Sequence, residues 1–294
     1  MPVMEPTPSD IDLRTINYEA DDGRQLDGFE ITSDAETFEG EHTCVIFLHG
    51  LRGFALGAGI SPIAYPLARE GIQCVSINKR NSGKEYERSD FAEIDRDIAG
   101  AVEWATAQGA TEVVVWGRSL GATEAAYYQG KRNDPDVDAV VLAAPFADIR
   151  ERSTRGYFEA VSDDPDEAYE NFVDEARDLV DAGRGNEIVA LPRPVDGDIE
   201  YIPMTAESFL SYRSPESKCA TIDWTPDIEV PLLLIPHSSD RNVTPAEAEE
   251  IAETATASSL VEVEPIAADH FFTGSEGRVA ELTASFVKRA RDHQ

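Results

Sequence analysis

Apolar residues along this chain fall into two rhythms. Thr43–Leu48, Ile72–Ile77, Thr111–Trp116, Ala139–Ala144 and Val230–Ile235 are short, nearly continuous apolar runs. They read as strands buried on both faces. Between them the spacing lengthens to three or four residues. Phe91, Ile94, Ile98, Val102 and Ala105 lie along Asp90–Gln108 in this way, with Gly109 as the stop, and predict a helix. Shorter helices are expected over Pro62–Glu70 and Leu120–Gln129. Ahead of the first run, Leu13–Tyr18 and Gln25–Ile31 alternate around Asp21-Asp22-Gly23, a hairpin signal. Strands alternating with helices, the strands apolar throughout, mean a mostly parallel sheet covered on both faces.

That rhythm breaks once. The 85 residues from 145 to 229 separate the strand at Ala139–Ala144 from the next, far more than a βα crossover needs. The stretch holds a helical pattern at Asp166–Asp181, a Pro- and Gly-rich acidic segment at Gly183–Asp198 and a Pro-interrupted segment at Ile202–Asp223. A core of 1–148 and 226–294 with an insertion at 149–225 follows. The rhythm then resumes with a helix from Pro245 to about Thr254, a strand at Leu260–Glu264 and a closing helix at Glu276–Ala290.

Charge changes the picture next. The 294 residues include 57 acidic and 25 basic side chains, net −32. Such a surface repels phosphate backbones and anionic membranes, which argues against a nucleic-acid partner. Only 5 of the basic residues are Lys, against 26 Asp and 31 Glu. This acid-rich, Lys-poor balance resembles that of proteins from salt-accumulating halophiles, where molar salt screens self-repulsion, with an ordinary acidic cytosolic protein as the alternative. Cys44, Cys74 and Cys219 are odd in number and form no CxxC, so neither a disulfide framework nor a zinc site is expected. No secretory leader and no membrane span is read from the sequence, and the expected setting is cytoplasmic. A homodimer is compatible with the sequence.

The candidate chemistry is Gly117-Arg118-Ser119-Leu120-Gly121, a G-x-S-x-G sequence between the VVVW strand and the LGATEAAYY helix. A nucleophile elbow needs that strand-turn-helix setting, and glycines at both ends to clear a tight turn. A serine hydroxyl needs a base, and the base an orienting acid. Asp240 in PHSSDRNVTP and His270 in IAADHFF each follow their own strand, at the sheet edge where open α/β folds place sites. The developing oxyanion needs two N–H donors: that of Leu120, after the nucleophile, and that of Leu51, in the His49-Gly50-Leu51 loop. His49 reads as a brace for that loop. Arg118 reads as a cation in an ion pair beneath the turn, with contact to an anionic substrate as the alternative. No metal and no organic cofactor is implied.

With HGL at 49–51, GRSLG at 117–121, SSDRNVTP at 238–245 and DHFF at 269–272, the chain resembles α/β-hydrolase-fold proteins. The resemblance covers about residues 12–150 and 225–292. It implies a sheet of about eight strands, a Ser119–Asp240–His270 triad and a cap inserted after the sixth strand. The single-glycine loop at 49–51 is similar to the esterase, lysophospholipase and dienelactone-hydrolase side of that superfamily. The expected activity is therefore hydrolysis of a small acyl ester through an acyl-enzyme. A thioesterase, a peptidase or an acyltransferase on the same fold are the enzymatic alternatives. A non-catalytic ligand-binding protein is the alternative of another class. Aromatic residues of the insertion, among them Tyr157, Phe172, Tyr201 and Phe209, either line an acyl pocket or pack the cap onto the core.

Overall fold

The computed structural model describes residues 7–57, 59–195, 197–237 and 245–293. The chain opens with β1 (Ile11–Glu19) and β2 (Gln25–Ser33), then β3 (Thr43–Leu48), α1 (Ser61–Arg69), β4 (Gln73–Ile77), α2 (Ile94–Ala107) and β5 (Glu112–Arg118). It continues through α3 (Leu120–Arg132), β6 (Ala139–Ala143), the short α4 (Ile149–Arg152) and α5 (Pro165–Asp181). Next come β7 (Ile188–Val195), β8 (Asp198–Thr205), α6 (Ala206–Arg213), β9 (Leu232–Ile235), α7 (Pro245–Thr254), β10 (Val261–Val263) and α8 (Glu276–Ala290).

Eight strands form one sheet in the order β1-β2-β4-β3-β5-β6-β9-β10. β1 pairs antiparallel with β2, and β2 antiparallel with β4. Every other neighbouring pair in that sheet is parallel. Alternation along β3 and β5 separates two cores. Val45, Phe47, Val114 and Trp116 pack under α1 and α8, whereas Cys44, Ile46, Val113 and Val115 pack under α2, α3 and α7. Burial on both faces is why these strands read as unbroken apolar runs.

The segment between β6 and β9 adds nothing to that sheet. It carries α4 to α6 and a separate two-stranded ribbon, β7 with β8. The ribbon falls where the sequence reads as irregular, because Pro192, Pro194 and Pro203 interrupt it. Its register explains the tolerance. Pro192 faces Tyr201, Pro194 faces Ile199 and Pro203 faces Ala190, so all three prolines fall on the same class of alternating pair. If that class is the non-hydrogen-bonded one, no ladder bond loses its donor. The intervening pairs, Val189 with Met204 and Leu191 with Ile202, turn their side chains into a third core that also contains Phe158, Tyr169 and Phe209. That core reaches Leu120, Tyr86 and Phe91 of the sheet domain, with Leu51 packed against it.

Candidate active site

Ser119 stands between β5 and α3 with φ 57° and ψ −121°. An L-residue holds such a conformation only where its surroundings over-determine it. A Cβ on Gly117 would drive into the Gly121 carbonyl, and one on Gly121 would lie 2.8 Å from the His49 carbonyl. The turn therefore closes against the loop after β3 with no space for side chains. Of six non-glycine residues with positive φ among those described, three (Arg52, Ser119 and Ala144) sit within four residues of the C-terminal ends of β3, β5 and β6. Backbone strain is concentrated around the serine.

The loop after β3 approaches Ser119 through Gly50, where an added Cβ would be 3.0 Å from the serine Cβ. Among the described residues, neither the Leu51 N–H nor the Leu120 N–H donates to a protein acceptor. Leu120 is the first residue of α3, where helix N–H groups have no internal partner. Two amides with no protein acceptor among the described residues thus lie in the segments that meet at the strained serine.

His49 has both ring nitrogens engaged, Nδ1 with the Gly50 carbonyl at 2.9 Å and Nε2 with the Ser82 hydroxyl at 2.7 Å. Burial, reinforced by the Lys79 and Arg118 cations, pushes it well below the ordinary imidazole value, so it is neutral. Behind it, Lys79 Nζ donates to the His49 carbonyl at 2.9 Å and pairs with Glu124, both ions being 0% exposed. Asn81 Nδ2 donates to the other Glu124 oxygen at 2.6 Å and to Tyr212 of α6 at 3.1 Å. One buried chain of polar groups thus runs from the Gly50 loop through α3 to the inserted segment.

His270 follows the last strand. Asp269 Oδ1 shapes the turn by accepting from Phe271 N at 3.0 Å and Thr273 N at 2.9 Å. A hydrogen bond of 3.2 Å joins His270 Nδ1 to His237 Nε2, its direction set by the tautomers. His237 lies two residues beyond β9 and is fully buried. Sequence reasoning missed it. Its only signal is its place past the strand end, in the same PHSSD segment as Asp240. Asp240 itself lies outside the described residues.

The ion pair expected of Arg118 is absent among the described residues. Its side chain is buried, 6% exposed, yet Nε and Nη1 have no hydrogen-bond partner and no carboxylate lies within ion-pair distance. The guanidinium instead covers the ring of Phe271, 4.8 Å from its centroid. Desolvation lowers its pKa to about 10, which still leaves it charged at neutral pH. The reason for the missing pair is positional. Asp269, the acid whose charge it feels, holds its own turn through Oδ1 and does not come within ion-pair distance.

The inserted aromatics mainly pack. Phe158, Tyr169 and Phe209 are buried against one another and against Phe172, with ring centroids 4.8 to 5.7 Å apart, while Tyr201 is exposed. Among the described residues, no three His, Cys, Asp or Glu side chains converge as a metal site. No helix there is long and apolar enough to cross a membrane.

Comparison with known proteins bears on the fold. The family described as "Protein of unknown function (DUF1749)" matches residues 16–223. No curated protein matches. Among solved structures, a Pyrococcus furiosus esterase is similar at 21% identity and TM-score 0.65, over 98% of this chain and 96% of that one. The α/β hydrolase GrgF from Penicillium sp. sh18 is similar at 16% identity and TM-score 0.71, over 95% and 99%. Est1E from Butyrivibrio proteoclasticus, solved with ferulic acid bound, is similar at 14% identity and TM-score 0.66, over 94% and 99%. The chain has the α/β-hydrolase fold.

Proposed function

The chain belongs to the DUF1749 family and carries an α/β-hydrolase fold, and from that footing we propose that it is a serine hydrolase acting on carboxylic esters. The observation that carries this reading is the strained Ser119 between two glycines that admit no side chain, beside two unengaged amides. In the proposed reaction His270 takes the hydroxyl proton as Ser119 Oγ bonds to the acyl carbon. The carbonyl oxygen, now negative, accepts from the Leu51 and Leu120 amides. Collapse breaks the bond to the alkoxide, which leaves with the proton from His270. Water then repeats the sequence on the acyl-enzyme and releases the acid. Asp240 is the proposed acid that holds the imidazolium. We assign residues 149–225 to a cap over this site. The names of the neighbours, an esterase and a hydrolase among them, agree with this class.

Hydrolysis of p-nitrophenyl esters from acetate to palmitate, with Ser119→Ala alongside, tests the proposal. Turnover by the native protein that disappears in the variant supports it. No turnover and no fluorophosphonate adduct on Ser119 would overturn it and leave a ligand-binding role. The assay belongs in molar salt, because we infer a halophilic, cytoplasmic setting from the net charge of −32 and three free, buried thiols. Unfolding that is unchanged between molar and ~0.1 M salt would contradict the halophilic part.

A further inference from the structure

The chain holds 57 carboxylates against 25 basic side chains, and two of its buried cations near the site take acids as partners. Arg80 donates to Asp97 at 2.7 Å and Glu93 at 2.8 Å, and Lys79 is held by Glu124. Arg118 differs from both. None of its nitrogens donates to a protein acceptor among the described residues, and Nε and Nη1 are shut off from solvent. Asp269 supplies part of the opposing charge but no hydrogen bond, so the buried donors stay unmet, at a cost, and a bound carboxylate would satisfy them.

The surroundings keep this cation in place. By strand alternation Arg118 shares the face of Val114 and Trp116, on the side of α1 and α8. Its guanidinium lies between the turn before α1 and the turn carrying His270 and Phe271. At Gly59, with φ +83°, an added Cβ would fall 2.5 Å from Nη1 and 3.0 Å from the Phe271 carbonyl. Only a glycine leaves that space. Arg118 precedes Ser119 in the chain, so its charge lies within roughly 13 Å of the serine hydroxyl.

We propose that Arg118 is the substrate-recognition cation of this site and that the ester it serves carries a carboxylate a few bonds from the scissile carbonyl. The inference rests on Ser119 being the nucleophile. A single unpaired charge matches a monoanion, and the planar guanidinium matches the planar carboxylate. Lys79 is fully buried and committed to Glu124, so it is not available as the second cation that a phosphate dianion would call for.

Two esters of equal acyl length and leaving group test the assignment: mono-p-nitrophenyl glutarate, which is anionic, and p-nitrophenyl valerate, which is neutral. The native protein should prefer the glutarate by about tenfold or more in kcat/KM. Arg118→Gln should bring that ratio toward one mainly through KM, and Arg118→Lys should restore part of it. A native ratio near one, or equal losses on both esters in Arg118→Gln, would overturn the proposal in favour of a structural arginine. Glutarate binding to Ser119→Ala by calorimetry reads the same group without turnover. It should weaken about tenfold when Arg118→Gln is added. If neither ester is cleaved by the native protein and Ser119 takes no fluorophosphonate, the hydrolase reading fails, and this binding experiment still decides the anion site. Inorganic phosphate binding more tightly than glutarate would overturn the carboxylate assignment.

Discussion

The two flanks of Ser119 treat buried charge in opposite ways. On the Gly50 side, Lys79, Glu124, Asn81, His49 and Ser82 form a chain in which the protein itself supplies the partners. On the Phe271 side, Arg118 is also buried but has an aromatic ring as its main neighbour and, among the described residues, no acceptor. A closed network fixes geometry, since each member holds the next. An open one stores an interaction that another molecule completes. The first flank is therefore scaffold for the oxyanion loop, and the second is receptor.

The largest effects should fall where both flanks converge. Ser119→Ala should reduce ester turnover by on the order of 10⁶-fold while thermal unfolding stays close to the native value. Asp240→Asn should cost on the order of 10⁴-fold by favouring the wrong tautomer of His270. Substantial activity in that variant would move the acid elsewhere. Asp223 and Asp227 would be examined first, and of these Asp223 already pairs with Arg150 at 2.9 Å.

Opposite responses in stability would sharpen the contrast. Glu124→Ala leaves the Lys79 ammonium buried without its partner and should destabilise by about 3–5 kcal/mol in urea unfolding. Arg118→Met removes a buried cation that has no partner, at the loss of one cation–π contact. It should raise stability by about 1 kcal/mol while impairing anionic substrates. If Arg118→Met destabilised as severely as Glu124→Ala, the two flanks would be alike and the receptor reading would lose its basis.

The sheet was legible in the sequence because its central strands are buried on both faces and its helices on one, so apolar spacing reports each directly. Thr43–Leu48, Pro245–Thr254 and Glu276–Ala290 have the boundaries expected. The hairpin of β7 and β8 was not legible, because its proline content argues against strands unless the pairing register is known. Composition likewise hides pairing. In a chain so rich in acids an ion pair for Arg118 is the natural expectation, and only the fold shows that Asp269 is engaged elsewhere. The contact of His237 with His270 joins two segments 33 residues apart, a separation that no local pattern reports.

A pH titration tests the scaffold flank most finely. His49 is neutral in the folded chain because burial lowers its affinity for protons below the ordinary value of 6.5, with Lys79 and Arg118 adding to the effect. The unfolded chain binds a proton near 6.5 and the folded chain does not. The contribution is therefore intact above that pH and is lost as pH falls below it. Between pH 6.5 and 5.5 the loss should be about 1 kcal/mol. His49→Gln removes the titrating group and should flatten the acid limb of the urea midpoint by that amount relative to native protein. Because acids such as Asp97 and Glu124 titrate in both proteins, the difference between the two curves isolates His49. Parallel curves would mean that the His49 ring accepts a proton in place, and the closed flank would then be open at its centre.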